Sequence, residues 1–474
     1  MGVVSSVFFP CLEVTSKMSN DQEHLYPSLH GDVIVHITPA CAQVTIKLSE
    51  GAKIGSALKP IPLAFVNETA REILLLCDGQ KNCESIVCGL LENTDNKDVN
   101  FSSMLEGTID FLQQMMSYGI LDLQESPCQC KFTVTGNRDF FIPQHMSVEL
   151  TSNCNLKCIY CYRDAGPNHS AYLEYDVLVD ILGRLANNGV RSVELTGGEP
   201  LLHPQFLEIL SYCVTKFDRI IVLTNGCLID KEIAKFAGTN KEKILFQTDL
   251  DGSTPDLHDS IRGVPGAFNK TIKGIEKLVG EGVKLRVVMN IVKENVHDIE
   301  KTLIIAKQLG ATWFTFVPIV YVGRAKNLHK LTVEQLNLYM DLSARLKKEY
   351  KSFIGEREHD QIVEEHKNEI NCGMGYKTAV LSPTGKVRPC LLLSEIVLTF
   401  GDLLKDSVSD VFSNPAVPFL SHLKAPNEET CSHCEHELFC RYCITRGLES
   451  QCTGSETCKW GMVNNISKLL NTNN

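Results

Sequence analysis

Three cysteines fall within eight residues in Cys154-Asn-Leu-Lys-Cys158-Ile-Tyr160-Cys161, a C-x3-C-x2-C spacing. Their thiolates can hold three corners of an iron–sulfur cube, whereas an ordinary [4Fe–4S] site takes four cysteines. A three-cysteine loop therefore leaves one iron open to a small-molecule ligand. A zinc knuckle short of its fourth ligand is the competing reading of the spacing alone. Downstream comes Thr196-Gly197-Gly198-Glu199-Pro200. Paired glycines let a backbone approach a ligand closely, and a carboxylate beside them can hold an ammonium group. Leu223-Thr224-Asn225-Gly226 and Asp249-Leu-Asp251-Gly252 follow, then His258-Asp259-Ser-Ile-Arg262-Gly263. An arginine there can pair with a ligand carboxylate. Each stretch alone also suits an ordinary turn.

A second set of thiols lies in the C-terminal quarter. Cys372 and Cys390 precede Cys431-x2-Cys434-x5-Cys440-x2-Cys443, and Cys452 and Cys458 close the series. Two C-x2-C pairs suit zinc by spacing, but zinc takes only four ligands and more thiols than that gather here. The number is enough for two cubes.

The elements that must position these residues follow from periodicity. From residue 146 onward, expected strands cover 146–150, 191–196, 219–224, 243–249, 283–291 and 313–319. Amphipathic helices alternate with them near 174–188, 205–216, 230–237, 267–280, 297–309 and 333–350. This rhythm predicts an α/β fold with a parallel sheet, either doubly wound or a barrel. Six βα units suit a partial (β/α)6 barrel, with chemistry at the C-terminal ends of the strands. The three-cysteine loop leaves the first strand at that end, and the later motifs follow other strands there.

Ahead of this core, residues 1–29 read as a poorly ordered lead-in and 30–125 as a compact winged-helix-like module. Its strands are expected at 33–37, 43–47 and 62–66, and its helices at 68–77, 83–92 and 102–118. Asn67 suits an N-cap. Ala70, Ile73, Leu74 and Cys77 are expected inward on the first helix. Met104, Ile109, Leu112 and Met115–Met116 are expected inward on the third. Residues 126–145, with Cys128 and Cys130, read as a linker, 146–350 as the barrel, and 351–474 as a cysteine-rich extension.

Composition narrows the function classes. The 474 residues are 43% hydrophobic and carry a formal net charge of −11, ordinary for a soluble globular chain. The module has 6 Lys and Arg against 15 Asp and Glu between residues 20 and 130. That sign opposes phosphate, so no nucleic-acid partner is expected. An exposed strand edge can instead take up a peptide. Twenty cysteines without an export signal point to metal or redox chemistry in the reducing cytoplasm, and no run is long enough for a transmembrane segment.

Taken together, Cys154-x3-Cys158-x-Tyr160-Cys161, Gly197-Gly198-Glu199-Pro200 and Thr224-Asn225-Gly226 on a six-unit βα core resemble the radical S-adenosylmethionine (SAM) superfamily. The resemblance implies that Cys154, Cys158 and Cys161 hold a [4Fe–4S] cluster whose open iron binds SAM. It implies that Tyr160 packs near the adenine, with Asn225 also in the SAM site. Gly197, Gly198 and Glu199 would receive the methionyl ammonium and Arg262 the carboxylate. Asp249 stands where the family often has serine and is not counted among these residues.

The C-terminal cysteines resemble the SPASM extension, which carries two auxiliary [4Fe–4S] clusters and so brings the expected total to three. By that resemblance, Cys372, Cys390 and Cys443 ligate the inner cluster, and Cys431, Cys434, Cys440 and Cys458 the outer one. The C-x2-C ending at Cys443 is one residue shorter than the family pattern, which leaves Cys452 as an alternative to Cys443 or to Cys458. The N-terminal module resembles leader-peptide recognition domains. Phe141-Ile-Pro-Gln-His-Met146, Asn371-Cys-Gly-Met-Gly-Tyr376 and Val387-Arg-Pro-Cys390 look most like sactipeptide maturases of the subtilosin type.

The implied function is oxidative cross-linking of a ribosomally made precursor peptide, cysteine sulfur to α-carbon, through a 5′-deoxyadenosyl radical. A reductant such as flavodoxin or ferredoxin would supply electrons. Linkage to β- or γ-carbons, carbon–carbon cross-linking and epimerisation are the neighbouring alternatives. A sulfatase- or quinoprotein-type maturase and a zinc-stabilised peptide-binding adaptor stand further off.

Overall fold

The computed structural model describes residues 23–39, 41–46, 64–92, 100–167, 169–354, 371–434, 437–452 and 458–471. They form two units that divide between Ile142 and Pro143. Among them no helix is long and apolar enough to cross a membrane.

The first unit is built on β1 (Tyr26–Leu29), β2 (Val33–Ile37), β3 (Cys41–Ile46), β4 (Ala64–Asn67), β5 (Leu121–Gln124) and β6 (Thr133–Gly136). One sheet has the order β4-β3-β2-β6, and β1 pairs with β5 in a second. Helices α1 (Glu68–Leu75), α2 (Cys83–Glu92) and α3 (Phe101–Ser117) cover them. Asn67 caps α1, its side chain accepting from the Ala70 amide at 2.9 Å. The core gathers Val33, Val35, Leu74, Ile86, Leu112 and Met115. The expected α1 face is the buried one, Ala70, Ile73, Leu74 and Cys77.

Three expectations for this unit are corrected. Residues 26–29 of the lead-in form a strand, because β1 finds its partner β5 some ninety residues on, where no local signal points to it. The linker likewise contributes β6, which pairs in parallel with β2. The Cys128–Cys130 stretch bonds along the turn after α1, through Cys128 N to Gly79 O at 2.9 Å and Cys130 N to Asp78 O at 3.0 Å. Finally, α3 turns Leu112 and Met115 inward as expected, with Met104 and Ile109 packed against the core, but not Met116. Leu105, Thr108, Phe111, Leu112 and Met115 are buried, while Met116 is exposed. The first two residues of the strand expected at 62–66 lie outside the described residues.

The second unit holds six parallel strands, β7 (His145–Thr151), β8 (Ser192–Gly197), β9 (Arg219–Thr224), β10 (Ile244–Asp249), β11 (Lys284–Ile291) and β12 (Trp313–Pro318). Between them run α4 (Tyr175–Asn187), α5 (Phe206–Lys216), α6 (Lys231–Thr239), α7 (Pro255–Arg262), α8 (Ala267–Gly280) and α9 (Ile299–Gln308), and α10 (Val333–Glu349) follows β12. Runs such as Ile220-Ile221-Val222 are buried on both faces, as parallel strands between helices require. This is the partial (β/α)6 barrel.

The extension does not stand apart from it. β13 (Thr378–Leu381) pairs in parallel with β7, and β14 (Lys386–Arg388) and β15 (Gly401–Asp402) continue the sheet beyond it. The segment that carries Cys390 is therefore carried on the barrel's own sheet. Short helices between Val408 and Asn471, with the residues that join them, carry Cys431 to Cys458, while Cys372 precedes β13.

Candidate active site

The cysteine loop leaves β7 and is tied down from two sides. On one, Lys157 N donates to Arg262 O at 3.0 Å and Ile159 N to Ile261 O at 2.9 Å, which joins the loop to the end of α7. On the other, Arg324 donates from Nε to Cys158 O at 2.9 Å and from Nη1 to Ala165 O at 2.9 Å. Its own amide reaches Cys161 O at 3.0 Å. A side chain at Gly323 would place a Cβ 2.4 Å from Cys161 O, so only glycine permits this approach.

The thiols already sit among donors. Cys154 Sγ accepts from Leu156 N at 3.5 Å, Cys161 Sγ from Ala165 N at 3.4 Å, and Cys158 Sγ from Arg262 Nη1 at 3.4 Å. Burial pushes the Cys154 thiol up to about 11 and Cys158 up to about 12, partly offset by the Arg262 guanidinium. Buried thiols met by hydrogen-bond donors are set up to bind as thiolates to a metal centre that displaces their protons.

The glycine pair serves the same loop. A Cβ on Gly198 would stand 2.1 Å from Asn153 O, and one on Gly197, at φ +130°, would stand 2.4 Å from Thr151 O. Gly198 N bonds Thr151 O at 2.7 Å and Glu199 N bonds Asn153 O at 2.8 Å. The loops after β7 and β8 thus meet backbone to backbone. Gly198→Ala is expected to force them apart, lowering stability by roughly 1–3 kcal/mol. Iron retained after anaerobic loading should fall with it, and thermal melting with an iron assay checks both.

Glu199 has protein partners of its own. Its side chain is fully buried and turned into the protein, where Oε1 accepts from Thr224 Oγ1 at 2.6 Å and Leu201 N at 3.2 Å. Oε2 accepts from Asn225 N at 2.8 Å. Burial pushes the carboxyl up to about 7 against the pull of these donors. With these donors on it, the carboxylate pins the loops after β8 and β9 together, and the surface of the glycine motif that faces the cavity is its backbone.

Arg262 lies at the centre of a buried network that the sequence reading named only in part. Its Nη2 is 3.1 Å from Asp249 Oδ2, and its Nη1 is 3.4 Å from Asp251 Oδ2 and hydrogen-bonded to the Tyr160 hydroxyl. That hydroxyl donates to Asp251 Oδ2 at 2.5 Å, and Asn290 Nδ2 reaches both the hydroxyl, at 3.1 Å, and Asp249 Oδ1, at 3.2 Å. Burial pushes the Asp251 carboxyl up to about 6, although Arg262 pulls it down. Asp249 and Asp251 were visible as an alternating pair after the fourth barrel strand. Asn290 sits inside β11, and nothing in its local sequence marks it. Arg262 Nε is buried with no hydrogen-bond partner, a donor left over for an added group.

These residues line one cavity of about 350 Å³. Cys154, Cys158, Tyr160, Cys161, Gly197, Gly198, Asn225 and Arg262 are on its wall, and Asp249, Asn290, Tyr162, Arg324, Leu391 and Leu392 are among the others that line it. Three thiols, glycine backbone and a cation with a spare donor on one cavity fit a three-cysteine cluster together with an amino-acid ligand.

Two of the C-terminal thiols are raised with other thiols among the causes. Burial raises the Cys443 thiol, and the nearby Cys390 raises it further. Burial also raises Cys431, with Cys458 and Cys434 as its thiol neighbours. Cys440 is buried, its thiol reaching Arg446 O at 3.8 Å, and Cys372 is exposed. Among the described residues no group of three or more His, Cys, Asp or Glu side chains is already placed to hold a single metal ion.

Comparison with known proteins agrees with this geometry. The Radical SAM superfamily model matches residues 148–304, and the SPASM iron–sulfur cluster-binding domain model matches 372–435. The chain is 31% identical over 438 residues to the antilisterial bacteriocin subtilosin biosynthesis protein AlbA of Bacillus subtilis (strain 168), covering 90% of this chain and 94% of that one. In structure it is similar to Streptococcus suis SuiB bound to S-adenosylmethionine, with a TM-score of 0.61 and 17% identity over 91% of this chain and 98% of that one. SuiB bound to its precursor peptide SuiA gives a TM-score of 0.56 at 16% identity, over 82% and 89% of the two chains. The chain belongs to the radical SAM superfamily, among its SPASM-domain peptide maturases, whose cofactors are SAM, a SAM-binding [4Fe–4S] cluster and auxiliary clusters.

Proposed function

We propose that this enzyme takes up a ribosomally made precursor peptide by its leader and joins a cysteine sulfur of that peptide to the α-carbon of another of its residues. Cys154, Cys158 and Cys161 would hold the SAM-binding cluster. Cys372, Cys390 and Cys443 would hold an inner auxiliary cluster, and Cys431, Cys434, Cys440 and Cys458 an outer one. When bound, these groups supply a hydrogen-atom abstractor and an acceptor for the electron left over. The chain's own residues orient and enclose. Arg262 and the Gly197–Gly198 backbone would face the carboxylate and ammonium of SAM. Tyr160 and Asn225 would border its nucleoside, and Glu199 would hold two of the contacting loops in register.

The observation that carries this reading is the shared wall of the cavity. Leu391 and Leu392 line it together with the three thiols of the loop, and they directly follow Cys390. A peptide thiol held at the Cys390 site would thus lie beside the place where a carbon radical forms, which is the arrangement sulfur–carbon closure needs. Near full-length similarity to the subtilosin biosynthesis protein supports the α-carbon over other positions. The leader would bind the acidic first unit. An external one-electron donor such as flavodoxin or ferredoxin, in a reducing cytoplasm, would complete the system.

The test is an anaerobic incubation with the short cysteine-containing peptide encoded beside this protein, read by tandem mass spectrometry. A loss of two hydrogens per bond, with fragments placing sulfur on an α-carbon, is expected. An unchanged mass would mark epimerisation, and sulfur on a β- or γ-carbon would overturn the bond assignment.

A further inference from the structure

A buried ionic network joins the cysteine loop to the Cys390 segment. Arg388 and Glu149 are both fully buried and bond through two parallel contacts, Nη1 to Oε2 at 2.9 Å and Nη2 to Oε1 at 2.7 Å. Arg163 Nη1 lies 3.0 Å from the same Oε2, and the Tyr162 hydroxyl donates to Oε1 at 3.4 Å. Arg388 Nη2 also reaches Leu391 O at 3.5 Å. Glu395 closes the group, 3.7 Å from Arg163 and 3.8 Å from Arg388. Two arginines thus meet two glutamates, and the charges balance.

Stability alone does not account for such a pair, because desolvating both ions takes back most of what their attraction returns. What a guanidinium fork on a carboxylate does supply is a fixed plane and a fixed separation. The parts fixed here are the ones the chemistry needs. Glu149 lies on β7, two residues before its end, and Tyr162 and Arg163 directly follow Cys161. Arg388 ends β14, two residues before Cys390, with β13 between β14 and β7. Leu391, held through its carbonyl, lines the cavity.

We infer that Glu149 and Arg388, with Tyr162 and Arg163, form a positioning unit that sets the spacing of the Cys154–Cys161 site and the Cys390 site across the substrate cavity. The inference rests on the cluster assignments made above. Of its members only Tyr162 lines the cavity, and the unit acts through the segments it holds. It acts by keeping the peptide thiol and the carbon to be attacked in reach of each other.

Full-length enzyme with Glu149→Gln and Arg388→Gln together removes both charges at once and leaves no buried ion unpaired. Arg388→Lys, made separately, keeps the charge and loses the fork. Both are loaded anaerobically with iron and sulfide beside the parent and Cys390→Ala. Iron content, the low-temperature EPR spectrum of the reduced protein, and deoxyadenosine formed per cross-linked peptide are then measured. Both variants should keep the parent's iron content while the EPR signal lost in Cys390→Ala changes shape. Deoxyadenosine per cross-link should rise on the order of ten-fold or more, as for reacting groups displaced by a fraction of an ångström. Parent-like spectra and ratios in both variants overturn the inference. So does an equal loss of iron from all sites, which would make the pair a plain stabiliser of the fold. A Cys390→Ala protein with the parent's iron content and spectrum would instead remove the cluster assignment, and the inference with it.

Discussion

Cys158→Ala is expected to abolish release of 5′-deoxyadenosine from SAM. A four-iron cluster bound by three cysteines has no ligand to spare, and Cys158 is the one whose sulfur faces Arg262, at 3.4 Å. Even outer partners of metal ligands cost 10–100-fold on removal, so loss of a direct ligand should lower turnover by at least about 100-fold. The fold should survive, since the change removes one sulfur atom and the loop is held by main-chain bonds to Arg262, Ile261 and Arg324. Circular dichroism and melting close to the parent, with no deoxyadenosine, is the expected pair of results. Deoxyadenosine at the parental rate would sink the assignment of this loop.

Cys443→Ala should separate the two halves of the reaction. The first site lies on the loop after β7 and keeps its three thiols, so SAM cleavage should continue within a few-fold of the parent. Cross-linked peptide should be lost, by at least about 100-fold. The spacing before Cys443 departs from the expected pattern by one residue, which left Cys452 as a rival. Burial chiefly raises the Cys443 thiol, and Cys390 is among the groups that act on it, which favours Cys443 for the proposed inner set. Cys452 lies in the helix Ile444–Cys452. If Cys443→Ala still cross-links at the parental rate and Cys452→Ala does not, the ligand is Cys452. Liquid chromatography of nucleoside and peptide from one reaction gives both readings.

The legible part of this molecule was what repeats locally. Barrel strands announce themselves as short Val- and Ile-rich runs, and each motif could be assigned to a strand end by counting from them. The cysteine spacings are local as well. Illegible were the features made by distant pairing. β1 and β6 needed partners far away in the chain, so four-residue strands in polar surroundings read as lead-in and linker. The pairing of β13 with β7 made one sheet of what read as two domains.

At the site, the residues missed are those whose partners are non-local. Arg324, Asn290 and Glu149 look like ordinary strand or loop residues until the fold gives them their partners, and Arg388 stood in the Val387-Arg-Pro-Cys390 stretch with no sign of its pairing to Glu149. For Glu199 the motif was legible but its partners were not, because the Thr224 hydroxyl and the Asn225 amide reach it from the next strand end.

The most direct test of the account uses precursor peptide synthesised with deuterium at the α-carbons of its non-cysteine residues. Anaerobic turnover should move deuterium into 5′-deoxyadenosine and yield a cross-linked peptide lacking deuterium at the joined carbon. Cross-linked peptide that keeps its α-deuterium, with unlabelled deoxyadenosine, would contradict the claim that this enzyme opens an α-carbon to sulfur.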